Sequence, residues 1–118
     1  MPDQTITIFH NPGCGTSRNV LKAIKDAGLE PKVVPYLERG WTIPQLKSLL
    51  KEMKANARNI LRVKGTTAEE LGLSKDSVTD DEILDAMVRH PILVNRPIVQ
   101  TPKGTKLCRP AETITELL

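Results

Sequence analysis

The stretch TITIFHNPGCGTSRNVLKAIKDAGLEPKVVPY (Thr5–Tyr36) carries two hydrophobic periods in succession. Ile6 and Ile8 alternate with Thr5 and Thr7, which predicts a first strand over Thr5–Phe9. Asn11-Pro12-Gly13 has the chemistry of a turn. From about Thr16 to Ala27 the period becomes helical, with Val20, Leu21, Ile24 and Ala27 on one face. Gly28 is placed to cap that helix and Pro31 bars its continuation. Lys32–Tyr36 reads as a second strand, with Pro35 either placing it at a sheet edge or cutting it short. A strand, a helix and a strand joined this closely predict a right-handed crossover and two parallel strands.

Working outward, the middle of the chain is helical. Thr42-Ile43-Pro44-Gln45 has capping form, and Leu46, Leu49, Leu50 and Met53 follow as a helical stripe. Asn56–Leu61 adds a short turn of helix, and Thr67–Gly72 a short capped helix. Thr79-Asp80-Asp81-Glu82 opens another, with Ile83, Leu84, Met87 and Val88 facing inward and an end before Pro91. The last quarter changes character. Pro97–Thr101 is strand-like, Pro102-Lys103-Gly104 is a turn, and Thr105–Leu107 returns antiparallel as a hairpin. Pro110 then opens a C-terminal helix with Ile114, Leu117 and Leu118 inward. The order β-α-β, helices, β-β-α predicts one α/β domain over residues 1–118, a thioredoxin-like mixed sheet with a helical insertion.

Composition narrows the function. The chain has 118 residues, enough for one hydrophobic core. Aromatics are only 3%, so that core is aliphatic. The net charge of +3 suits a small anionic ligand and lacks the basic stripe with aromatics that nucleic-acid binding needs. No segment has the length of a membrane span, and the N-terminus MPDQTITIF shows no signal peptide. A cytoplasmic location is expected, and a monomer, since no heptad or large apolar stripe is present. Two cysteines, Cys14 and Cys108, are not expected to pair in a reducing compartment.

Cys14 stands out because glycines flank it and a helix begins just after it. There the unpaired backbone N–H groups and the positive end of the helix dipole favour thiolate over thiol. The same N–H groups, those of Gly15 and Thr16 among them, suit an oxyanion. His10 before the turn is a candidate to favour the thiolate by charge or hydrogen bond, and Arg18 lies on the same helical face. Taken alone, His10 also reads as a strand-end histidine and Arg18 as a solvated charge. C-x-x-C is absent, since Asn11 and Ser17 occupy the positions three before and three after, which disfavours a dithiol oxidoreductase. C-x5-R is absent too, because Val20 stands where the arginine of a cysteine phosphatase would be. His10, Cys14 and Cys108 offer too few ligands for zinc. An oxyanion at Cys14 would therefore need arginines from elsewhere. Arg96 and Arg109, each before a proline and together flanking the hairpin, are the candidates, with Arg96-Pro97 a possible cis bond.

HNPGCGTSRN, HPILVNRPIVQTP and GTKLCRP closely resemble the glutaredoxin-coupled, glutathione-dependent arsenate reductases of bacteria. YLERG, NILRVKG and EELGLS follow in the same order, so the resemblance spans nearly the whole chain. It implies a thioredoxin-like fold and the reduction of arsenate to arsenite. Cys14 matches the catalytic cysteine. Arg62, Arg96 and Arg109 match the arginines that bind the oxyanion, and His10 and Ser17 match residues thought to lower the thiol pKa. Glutathione would be a co-substrate and glutaredoxin a partner, with no bound cofactor and no metal. Cys108 needs no chemical role. Two alternatives remain: a relative that acts on glutathione or another substrate, and a non-enzymatic thiol-sensing regulator of the same fold. The sensor of such regulators is usually a C-x-x-C.

Overall fold

The computed structural model describes residues 6–63, 68, 71–73, 75, 77–109 and 111–118. The chain forms two compact units, one running to Arg39 and resuming at Arg96–Leu118, the other comprising Gly40–Asn95. The first contains the sheet. Strand β1 (Thr7–His10) pairs in parallel with β2 (Lys32–Pro35). On its other side β1 pairs antiparallel with β3 (Ile98–Thr101), which turns back into β4 (Gly104–Leu107). The order β2-β1-β3-β4 is the mixed α/β, thioredoxin-like arrangement that the sequence predicts. β2 lies at an edge, where the missing N–H of Pro35 costs the ladder nothing. β2 also stops there: Tyr36, expected as its last residue, begins a short helix, α2 (Tyr36–Arg39), and is buried.

Helix α1 (Gly15–Asp26) follows the turn after β1. It ends on Ala27, and Gly28 takes φ +80 beyond it. The Gly28 N–H bonds Lys25 O at 2.9 Å and the Leu29 N–H bonds Ile24 O at 3.3 Å, which is the paired closure of a Schellman end. Ala27 is exposed and not on the inner face, because the helix unwinds at that residue. Val20 and Ile24 pack with Ile6, Ile8, Val99, Cys108, Ile114 and Leu117 into this unit's core. The last two come from a 3-10 helix, Ala111–Leu117, which replaces the expected α-helix, and Leu118 is half-buried. The expected helix-opening Pro110 and the expected strand start Thr5 lie outside the described residues.

The second unit is the helical insertion. Helix α3 (Ile43–Met53) is capped by the Thr42 hydroxyl, which accepts the Gln45 N–H at 3.2 Å. Helix α4 (Asp80–Arg89) is capped by a full box between Thr79 and Glu82. Leu46, Leu49 and Leu50 of α3 and Ile83, Leu84, Ala86 and Met87 of α4 are buried, while Met53 and Val88 are half-buried. A 3-10 turn at Ala57–Ile60 packs on α4. Of the short helix expected over Thr67–Gly72, Thr67, Glu69 and Glu70 lie outside the described residues, and Ala68, Leu71 and Gly72 are in turns.

Candidate active site

One row of paired residues crosses the sheet from Val34 through Phe9 and Ile98 to Leu107. The chain continues from that row into the candidate residues at three places. His10 ends β1 and leads into the thiol turn, Arg96 precedes β3, and Arg109 follows β4. Residues far apart in sequence thus converge because an antiparallel pairing joins the end of one strand to the start of the next.

The turn is closed by the Cys14 N–H, which donates to Asn11 O at 3.0 Å. Cys14 is the N-cap of α1, extended at φ −101 and ψ 122, and its side chain makes no capping bond. Its carbonyl accepts the first helical bond from the Arg18 N–H at 3.0 Å. The Gly15 and Thr16 amides belong to the first turn, where backbone donors have no intrahelical acceptor. The next amide, of Ser17, lies close enough to the Cys14 sulfur to favour its ionised form.

Two arginines meet the same sulfur. Arg109 Nη1 lies 3.5 Å from Cys14 Sγ and is itself fixed by the Arg96 carbonyl at 3.0 Å. The Arg96 side chain and its charge also favour the ionised sulfur, and the Arg96-Pro97 bond is cis. Burial alone would raise the thiol pKa. The Ser17 N–H, the Arg96 and Arg109 side chains and the Arg96 charge outweigh it and bring Cys14 down to about 7.

His10 and Ser17 act differently from a simple charge beside the thiol. His10 Nδ1 is 2.6 Å from Ser17 Oγ, and that oxygen accepts the Asn11 N–H at 3.1 Å. The two side chains thus share one short hydrogen bond at a fully buried hydroxyl. Burial, then the Arg18 and Lys25 charges, lower the His10 pKa. The His10 imidazole therefore orients the Ser17 hydroxyl, while the Ser17 amide lies beside the sulfur. Arg18 is exposed and donates to Pro12 O at 2.8 Å, holding the outside of the turn.

Cys108 is the opposite case. It is fully buried in the core, and burial pushes its thiol up to about 12. Both cysteines are free. Arg62 belongs to the Gly40–Asn95 unit, where its N–H bonds Leu93 O at 2.7 Å beside the Leu61–Val94 bridge. Among the described residues, no group of three His, Cys, Asp or Glu side chains is arranged to hold a metal ion, and no helix is long and apolar enough to cross a membrane.

The pattern of the ArsC family matches residues 9–117. The chain belongs to the ArsC family. Among relatives, the arsenate reductase ArsI1 of Synechocystis sp. is 53% identical over 118 residues, spanning 100% of this chain and 82% of that protein. The arsenate reductase of Escherichia coli K12 is 51% identical over 113 residues, spanning 96% of this chain and 80% of that protein. The solved structure of an arsenate reductase from Vibrio cholerae superposes with a TM-score of 0.91 at 34% identity, covering 98% of each chain. The Cys14 turn, Arg96 and Arg109 all lie inside the ArsC match. Asn11, which bonds this turn at three points, was legible in the sequence only as a turn residue; the Asn-x-Gly spacing was the available signal for its side-chain bond.

Proposed function

We propose that this chain reduces arsenate to arsenite at Cys14, using glutathione and glutaredoxin as external thiols in the reducing cytoplasm. The observation that carries the reading is one sulfur met by Arg109 and held toward its ionised form by Arg96 and the Ser17 amide, in a chain of the ArsC family. Half of the thiol is ionised near pH 7, which supplies a nucleophile without a separate base. The arsenate oxygens would rest on the Gly15 and Thr16 amides and on the two guanidinium groups, whose planar forks suit a tetrahedral oxyanion. Arg62 is proposed as a further binding arginine on the resemblance of its segment alone.

The thiolate attacks arsenic, and an arsenate hydroxyl takes a proton from solvent and leaves as water, giving a sulfur–arsenic adduct in which arsenic is still pentavalent. A glutathione thiolate then attacks the Cys14 sulfur. As the sulfur–sulfur bond forms, the electron pair of the sulfur–arsenic bond passes to arsenic, which departs as trivalent arsenite. Glutaredoxin reduces the Cys14–glutathione disulfide by thiol exchange and restores the thiol. One protein thiol suffices, consistent with a Cys108 that stays protonated.

The test is a coupled assay with arsenate, glutathione, glutaredoxin, glutathione reductase and NADPH. Wild type should consume NADPH in proportion to arsenate, and Cys14→Ser should not. Arsenate-dependent turnover that survives in Cys14→Ser would overturn the proposal. Turnover with thioredoxin and none with glutaredoxin would overturn the choice of partner.

A further inference from the structure

The reaction as written uses no side chain of Asn11, yet this residue ties the thiol turn together. Asn11 is 6% exposed. Its Oδ1 accepts the Gly13 N–H at 2.9 Å, its carbonyl accepts the Cys14 N–H at 3.0 Å, and its own N–H donates to Ser17 Oγ at 3.1 Å. The bonds therefore reach the residue before the thiol, the thiol residue itself, and the residue whose amide meets the sulfur. We propose that Asn11 is a positioning residue for the Cys14 chemistry, its side-chain oxygen holding the turn so that the sulfur stays at the start of α1, beside Ser17 and within reach of Arg109. The inference rests on Cys14 being the nucleophile.

The physical argument is one of geometry. The Asn11 side chain closes a turn over Gly13 that mimics a backbone turn and leaves the backbone of Asn11 free for its other two bonds. Without Oδ1 the Gly13 N–H loses its partner, and the peptide leading into Cys14 is held less closely. The sulfur is then held less closely beside the Ser17 amide and Arg109. The ionisable groups around the thiol turn, His10, Arg18, Lys25, Arg96 and Arg109, would all remain. A purely structural asparagine would lower stability and leave the sulfur's proton affinity alone.

The experiment measures alkylation of Cys14 by iodoacetamide against pH, located by peptide mass analysis, together with Tm, on wild type, Asn11→Ala and Asn11→Ser. Wild type should show a midpoint at about 7. Asn11→Ala should move it up by about one unit, the scale of losing one hydrogen bond to a charged sulfur. Asn11→Ser should recover part of the shift, since a hydroxyl makes the same turn bond more weakly. A lower Tm for Asn11→Ala with an unmoved midpoint would overturn the inference. If Asn11→Ala does not fold, Asn11→Ser decides: a raised midpoint supports positioning and an unmoved one overturns it. A wild-type midpoint near 9 would instead remove the nucleophile reading on which the inference rests, so the two failures are told apart.

Discussion

Burial and donation pull the Cys14 thiol in opposite directions, and donation wins. Because the folded pKa lies below that of an unfolded cysteine, the folded state favours the ionised sulfur. The stability this contributes is full above the unfolded value of 9.0 and is lost as pH falls through about 7. The rate of thiol modification should follow the same thiolate fraction, rising from pH 6 to 8 and levelling above, as iodoacetamide kinetics would show. Cys108, held protonated to about 12, should stay unmodified in the native protein over that range, giving one labelled peptide. Arg109→Ala removes a donor from the sulfur and should raise the alkylation midpoint while lowering kcat for arsenate by about 10²–10³-fold, the range for one oxyanion donor. Arg109→Lys should restore little, because the lysine nitrogen ends one bond short of Nη1, the atom that meets both the sulfur and the Arg96 carbonyl. At this scale the sequence was partly legible. Cys14, Arg96 and Arg109 were marked by their glycine and proline neighbours. The link from His10 to Ser17 was not, since a serine inside a helical run gives no sign that its buried hydroxyl bonds a histidine seven residues before it.

Elements were legible where their ends carry side-chain signals. Thr42 and Thr79 cap α3 and α4 as their spacing predicts, and Gly28 ends α1. Two substitutions test these ends. Thr79→Ala should cost about 1 kcal/mol in urea unfolding, because the Glu82 N–H loses its acceptor. Gly28→Ala should cost about 1–2 kcal/mol: φ +80 is the whole penalty, as an added Cβ meets nothing within 4 Å. Gly28→Asn should recover much of it. Illegible were the elements whose type depends on length. Ala111–Leu117 has helical spacing, but over seven residues Ile114 and Leu117 meet the core equally well from a 3-10 winding. Tyr36 fits a strand by propensity, yet the ladder ends at Pro35 and the ring is buried from a helical turn instead.

At the scale of the whole molecule the strand directions were legible because two short patterns decide them. A strand-helix-strand opening forces parallel β1 and β2, and a two-residue turn forces antiparallel β3 and β4. The pairing of β1 with β3, which brings Arg96 and Arg109 to the thiol, is a tertiary fact that no local pattern encodes. Ile8, fully buried in the central β1, should therefore be among the costliest positions: Ile8→Ala should lose about 2–5 kcal/mol in urea unfolding. That is a large part of the 5–15 kcal/mol a small domain has. Below its urea midpoint the variant should keep the wild-type thiol pH profile.

The hairpin turn also sets a measurement. Pro102 and Lys103 are exposed, and the Thr101 hydroxyl fixes their geometry by accepting the Lys103 N–H at 3.1 Å and donating to Gly104 O at 3.3 Å. That turn assigns Leu107 to Ile98 at the strand's other end, and so determines where Arg109 emerges. A slip of one residue along β4 would displace the guanidinium by about 3.4 Å and reverse the side-chain faces. This solvent-facing corner, with no chemistry of its own, is thereby the ruler that calibrates the reach of an arginine to a sulfur at the opposite end of the strands.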